Sequence, residues 1–490
     1  MALREHWDSR RAFILASIGS AIGLGNLWRF PFKCYENGGG AFLIAYFVAL
    51  LTAGIPILLL ELSLGHKYKL AAPGAFQKVG KKFEWLGWWA VLVGFTIVTY
   101  YVIVMAWSVI YGYFSLTEKW GTNPSDFFYN KFLGLTEGPF SLGSINPILL
   151  IGLVVSWIMI VLSIWKGART VSKVVYGTVV LPWLLLIVFV IRGVTLPGAM
   201  IGITYYLKPV FSKLLDPSVW VSAYGQIFYS VSIGFGIMIA YSSFLHEKTD
   251  IASSAVIIGI SDAMTAFVGG FAVFGTLGYY AKIQGVAVTE VLKGGVGLAF
   301  CTYPAVISHL PFAKLFGLLF FLMLLTLAVD SAFSLVEAMA SAVSDKFGIS
   351  HRAATITVSS ISLLLGLIFV TGAGLYWLDI VDHFMEHFGL IAVVLIECIV
   401  LGWFYKTKKL KDHLNRVSKN KIGNWWIWLI KIVLPIILLY LFVTKFVQEI
   451  MVPYENYPNK ALILAGWALA ALLPILAIII SFIKGRSKKS

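Results

Sequence analysis

A chain of 490 residues that is 59% hydrophobic and only 12% charged, with a mean hydropathy of +0.87, is too apolar to be a soluble protein. Its net charge of +15 suggests a nucleic-acid partner until the basic residues are placed. They gather in alternate loops between apolar runs, the pattern that marks cytoplasmic loops of membrane proteins, so no nucleic acid is expected. Cys34, Cys301 and Cys398 form no CxxC and make an odd number, which indicates neither a disulfide framework nor a metal knuckle.

Runs of about 20 mostly apolar residues, enough to cross a bilayer, occur twelve times. Their approximate limits are 12–35, 40–65, 85–114, 147–165, 174–192, 222–245, 251–281, 313–342, 352–371, 377–404, 425–449 and 460–483. The loops after the second, fourth, eighth and tenth runs hold the basic clusters, from Lys67 and Lys69 to Lys419 and Lys421, on the side of Arg4, Arg10 and Arg11. One all-α polytopic membrane domain is predicted over 1–490, with both termini cytoplasmic.

The first run contains a polar interruption, Ser17-Ile-Gly-Ser-Ala-Ile-Gly-Leu-Gly-Asn-Leu-Trp-Arg-Phe-Pro31. Gly19, Gly23 and Gly25 do not hold a helix, and Pro31 lacks the N–H that would continue one. At bilayer depth, freed backbone groups survive only inside protein or beside a cavity. Close packing through Gly19-x-x-x-Gly23 would explain the glycines equally well. Five spans later, residues 225–236 repeat the pattern as Gly-Gln-Ile-Phe-Tyr-Ser-Val-Ser-Ile-Gly-Phe-Gly. An odd offset means the sixth span enters from the opposite side, and paired broken helices in two inverted halves point to a secondary transporter.

Among the acids inside the spans, Asp262 lies mid-way along the seventh, Asp330 mid-way along the eighth, and Glu61 in the second. A charge there costs about 2.5–3.5 kcal/mol on the lenient scale, so it needs a partner. Monovalent cations favour oxygen ligands, and Asp262, Asp330, Ser230, Ser331 and Asn26 supply them. Gly23-Leu-Gly25 lacks the third glycine and the strand of a dinucleotide loop. The eight histidines lie at span ends or in loops, where solvated or interfacial histidines fall, and no GxSxG elbow is present. An enzyme is not supported.

The residues Arg4-Glu-His-Trp7, Gly19–Pro31, Glu36-Asn-Gly-Gly-Gly-Ala-Phe42, Gly54-Ile-Pro56, Glu61, Tyr100-Tyr101, Gly225-Gln226, Gly234-Phe-Gly236 and Asp330-Ser331 resemble the signature of the neurotransmitter:sodium symporters. The likeness covers the first ten spans, and the last two resemble the family in placement only. It implies a LeuT-like fold: a 5+5 inverted repeat (12–192 and 222–404), two broken helices, and two accessory helices over 425–483. It also implies two sodium sites, one from Ala21, Asn26, Ser230, Asp262 and the substrate carboxylate, the other from Gly19, Ile22, Leu327, Asp330 and Ser331.

By the same resemblance, the substrate carboxylate meets the Leu24 and Gly25 N–H groups and Tyr101. Its amine meets Ala21, Tyr229, Ser230 and Ser232, and its side chain meets Ser20, Gly23, Ile97, Tyr229, Phe235, Ser331 and Leu335. Arg29 and Asp382 match the outer ion pair, with Phe235 and Tyr101 as a lid. Arg4, Trp7 and Asp345 match the inner gate. Gly23 stands where monoamine carriers of the family have an Asp, which leaves room for a carboxylate and favours a neutral, apolar or aromatic amino acid.

Tyr46, Gln226 and Ser230 match chloride ligands of animal members, but the remaining two fall on Asp262 and Ala266 when Gly270 sets the register. A fixed acid then replaces the anion, and chloride is not expected. The alternative register, on Gly269, would put Ser261 at the sodium position. The implied activity is sodium-coupled amino-acid import across a prokaryotic plasma membrane. An amino-acid sensor that binds without transporting is the alternative. Sodium, amino acid and lipid are the expected partners, with a homodimer allowed.

Overall fold

The structure, a computed structural model, describes residues 6–291 and 294–485. Among the described residues it is helical throughout, with only two isolated β-bridges, Gly39 to Pro209 and Ile145 to Thr371.

Among the described residues nine helices are long and apolar enough to cross a membrane: Gly40–Tyr68, Lys81–Ser115, Ala168–Thr195, Ile251–Gln284, Ala313–Phe347, His351–Val370, Gly374–Phe404, Trp425–Asn456 and Asn459–Phe482. The other three predicted spans have local explanations. Pro147–Ser163 is a continuous apolar helix of 17 residues, short of the length a typical span uses. The runs at 12–35 and 222–245 are both broken. The first folds as Arg10–Ala21, Leu24–Leu27 and Arg29–Glu36, and the second as Pro217–Ser230 and Ile237–Ser243. An apolar element not predicted from the sequence, Leu298–Ile307, is capped by rings: Phe300 packs on Trp107, Tyr111, Phe128 and Phe321.

Burial explains which spans frame the interior. Ala313–Phe347 packs along Glu84–Ser115, and the first broken helix lies against Ile251–Gln284 and Ala313–Phe347. Glu84–Ser115 is buried along nearly its whole length, including Trp88, Trp107 and Tyr111. The last two spans instead expose Ile436, Leu439, Tyr440, Ile463, Leu464 and Ile479. Apolar side chains exposed all along a span are what a helix facing acyl chains presents, since lipid does not drive them inward.

Candidate functional site

Both breaks follow from their residues. Ala21 ends the first helix, Ile22 turns to extended backbone (φ −77°, ψ 98°), and Gly23 caps the next turn at φ −120°. Asn26 ties the break back on itself, its side-chain oxygen accepting the Gly23 N–H at 3.1 Å. In the second break the backbone enters the left-handed region at Ser232 (φ 55°), Gly234 (φ 79°) and Gly236 (φ 73°). Glycine takes that region without penalty, and Ser232 is the residue that bears strain.

The two breaks answer one another. The Ser232 hydroxyl donates to the Ser20 carbonyl at 2.9 Å, and Ser331 donates to the same oxygen at 3.2 Å. Ser20 and Ser334 share a hydroxyl–hydroxyl bond at 2.8 Å. Backbone freed from a helix is thus satisfied by hydroxyls from the second break and the eighth span. The Leu24 N–H points to the Tyr101 hydroxyl at 3.4 Å.

Between the breaks lies a small cavity. Every residue singled out above as facing a substrate lies in its wall, joined by Asn26 and Ile237. The lining is part polar, with Ser20, Ser230, Ser232 and Tyr101, and part apolar, with Ile97, Phe235 and Leu335. A few convergent polar groups in an apolar concavity are the usual form of a small-molecule site. A Cβ added at Gly23 would sit 2.8 Å from Ser331 Oγ and 3.2 Å from Tyr101 Oη, so the cavity wall there has no room for a side chain.

Two carboxylates flank the cavity. Asp262 is fully buried and accepts from Asn26 at 2.8 Å and from Ser230 at 2.9 and 2.7 Å. Asp330 is equally buried; its Oδ1 has no hydrogen-bond partner, and its Oδ2 lies 2.7 Å from where a Gly19 Cβ would be. Ser331 Oγ reaches the Leu327 carbonyl at 3.5 Å. Among the described residues neither acid forms an ion pair. An ionised carboxylate buried without a basic partner demands another cation. Asp262 is met by the Asn26 amide N–H and the Ser230 hydroxyl, whereas Asp330 Oδ1 is left without a donor.

A profile of the sodium:neurotransmitter symporter family matches residues 4–123 and 119–488. The chain belongs to the sodium:neurotransmitter symporter family. A sodium-dependent transporter of Methanocaldococcus jannaschii is 43% identical over 438 residues, 89% of each chain. The human sodium- and chloride-dependent taurine transporter is 33% identical over 511 residues, covering 95% of this chain and 82% of its own. Human sodium- and chloride-dependent GABA transporter 2 is 35% identical over 449 residues, covering 84% and 75%. The protein is therefore a sodium-dependent membrane transporter with the fold of this family, and it is not an enzyme.

The residues expected to form the outer ion pair are joined differently. Arg29 does not meet Asp382. It forms its ion pair with Glu386, both side chains largely buried, and its guanidinium lies 4.5 Å over the Tyr229 ring. Asp382 instead accepts the Tyr100 hydroxyl at 2.6 Å. The physical reason is helical spacing. Residues 382 and 386 share a face one turn apart, and a π-helical segment at Met385–Leu390 begins between them. On the opposite side, Trp7 gives its indole N–H to the Tyr241 carbonyl at 2.8 Å, and Asp345 accepts the Ala71 N–H at 2.9 Å. Arg4 lies outside the described residues.

Three buried acids escaped the sequence reading. Glu337 binds His351 at 2.9 Å and Ser341 at 2.9 Å, Glu386 holds Arg29, and Glu397 carries a buried oxygen without a partner. An inventory of every acid within the predicted spans would have found all three. Tyr46 Oη and both amide atoms of Gln226 are buried without partners among the described residues. The Ser230 hydroxyl that the chloride comparison grouped with them donates to Asp262.

Proposed function

We propose that this symporter couples the entry of two sodium ions to uptake of a neutral, apolar or aromatic amino acid by alternating access. The observation that carries the reading is the cavity between the breaks, with a buried unpaired carboxylate on either side. One sodium ion is held by the Ala21 carbonyl, Asn26, Ser230 and Asp262, beside the substrate carboxylate. The other is held by carbonyls of Gly19, Ile22 and Leu327, with Asp330 and Ser331. The substrate carboxylate takes the Leu24 and Gly25 N–H groups and Tyr101, its amine takes the freed carbonyls and Ser232, and its side chain fills the space among Ile97, Phe235 and Leu335.

Residues 12–192 and 222–404 act as inverted halves about this site, and 425–483 are accessory. The basic loops support a prokaryotic plasma-membrane protein with both termini cytoplasmic, and on that reading Trp7 and Asp345 guard the inner mouth. Arg29 with Glu386, above Tyr229 and Phe235, closes the outer one. Chloride is not required, because Asp262 supplies a fixed negative charge where Ser230 would otherwise face an anion, and a second negative charge beside it would be repelled.

A second reading concerns the substrate. The relatives named for taurine and GABA favour an ω-amino acid, whose amine is farther from its acid group. The apolar part of the cavity lining favours an α-amino acid with an apolar or aromatic side chain. The test is sodium-dependent uptake by proteoliposomes of the twenty amino acids, taurine and GABA, under an inward sodium gradient and without one. Accumulation of an apolar or aromatic amino acid only with the gradient supports the proposal. Sodium-dependent binding without accumulation would make the protein a sensor instead.

A further inference from the structure

The half-helix Ile237–Ser243 after the second break ends in a crown of carbonyls, several of them met by donors from other elements. Trp7 gives its indole N–H to Tyr241 and its backbone N–H to Phe244, at 2.8 and 3.2 Å. Lys69 donates to the Leu245 carbonyl, and the His66 ring reaches the His246 carbonyl at 2.8 Å from Nε2. His66 lies in the last turn of the second span. Its other nitrogen, Nδ1, lies 2.9 Å from Nε2 of His413, on the short helix Lys408–Val417 between the tenth and eleventh spans. His413 Nδ1 in turn lies 3.2 Å from the Arg416 guanidinium.

These contacts fix every proton. A guanidinium only donates, so His413 Nδ1 accepts and its Nε2 carries the hydrogen. That hydrogen goes to His66 Nδ1, and His66 Nε2–H goes to the His246 carbonyl. The relay runs in one direction, and both rings are neutral. A further proton on either ring would enter at Nδ1, where each ring already faces an N–H donor.

The charges around the pair oppose that proton as well. Lys69 and Arg416 face His66, and Arg416, Lys67 and Lys69 face His413. Asp412 faces Lys67. From the N-terminal segment His6 stacks on His246, with ring centroids 4.7 Å apart.

We propose that His66 and His413 are positioning residues that hold the end of the second broken helix shut while both are neutral, and that acid on this face releases it. Only the consequence for transport rests on the reading of this face as the inner mouth. Burial and then the surrounding cations push His413 down to about 3. The sign follows directly: a ring whose value is low when closed and ordinary when open favours the closed form above about pH 6.5 and weakens it below. At about pH 5, keeping one such ring neutral shifts the balance toward the open form by up to about 30-fold.

Hydrogen–deuterium exchange on the full chain in lipid nanodiscs with sodium chloride tests this without any substrate. Labelling times are scaled for the intrinsic rate at about pH 7.5 and about pH 5. Peptides over 237–246 should lose protection by up to about 30-fold at the lower pH, while those over 313–347 hold theirs. The double variant His66→Gln, His413→Gln keeps an acceptor and a donor in the same directions but does not titrate, so it should stay protected at both values. His413→Leu should be unprotected at both. Unchanged protection in the parent would overturn the proposal without any variant, and so would a double Gln variant that responds to acid as the parent does. Failed uptake would leave this result standing, because exchange reads the relay and uptake reads the transport cycle.

Discussion

Gly23→Asp is the sharpest probe of where the substrate carboxylate lies. A Cβ at this position meets Ser331 Oγ at 2.8 Å and Tyr101 Oη at 3.2 Å, so Gly23→Ala already forces two hydroxyls to retreat by a few tenths of an ångström. Neither is free to do so without loss, since Ser331 donates to the Ser20 carbonyl at 3.2 Å and Tyr101 receives the Leu24 N–H at 3.4 Å. The Ala variant therefore measures the steric part. The Asp variant adds a charge about 4 Å from the bound carboxylate, which at an effective dielectric of about 20 repels it by about 4 kcal/mol. That is a further factor of about a thousand in affinity beyond Ala. The assay is sodium-dependent equilibrium binding of the amino acid selected by the uptake screen, to parent, Ala and Asp variants at neutral pH. An Asp variant that binds as tightly as the Ala variant would refute the placement of the carboxylate at Leu24 and Gly25.

Three other outcomes are expected. Asp330→Ala should abolish sodium-driven uptake, because the second sodium site proposed above would lose its only formal charge; uptake with unchanged sodium dependence would remove Asp330 from that site. Glu386→Gln should speed substrate release from the outer side at least tenfold, since breaking a buried ion pair costs about 3–5 kcal/mol. Asp382→Asn, which disturbs only the bond to Tyr100, should change it far less; dilution-chase release rates compare them, and the reverse order would restore Asp382 as the gate. Uptake in chloride and in gluconate should be equal for the parent, whereas Asp262→Asn with Ala266→Ser should become chloride-stimulated. Strong chloride dependence of the parent would end the fixed-acid argument.

The parts of this site that were legible in the sequence are those whose chemistry is local to one segment. Of the residues expected to interrupt the first run, Gly19 and Pro31 lie inside the helices Arg10–Ala21 and Arg29–Glu36, Gly25 and Asn26 lie in the short turn Leu24–Leu27, and the chain leaves helical geometry at Ile22 and Gly23. The same holds for the second break at 231–236. Once both breaks are placed, most of the cavity wall follows, because Ser20 to Asn26 and Tyr229 to Ile237 lie on them; Ile97, Tyr101, Ser331 and Leu335 come from two other spans.

What was not legible is pairing across segments. Asp382 and Glu386 lie one turn apart on one helix, and nothing in the run Asp-His-Phe-Met-Glu says which of them an arginine far away in the sequence will reach. The π-helical segment beginning at Met385 belongs to the packed helix and leaves no mark in hydropathy. The histidines make the same point. Their positions at span ends read as solvated or interfacial, yet His66 is 2% exposed and His413 is 8% exposed, each the other's partner. A residue at a membrane boundary is buried or wet according to what folds over it, and the helix Lys408–Val417 folds over this one. Span-end polarity is therefore a weak guide to solvation in such a chain, whereas a charged or hydrogen-bonding side chain with no local partner is a strong sign that another segment supplies one. By that argument Asp330 Oδ1, buried without a hydrogen-bond partner among the described residues, is the atom at which the proposed second sodium ion would complete the fold.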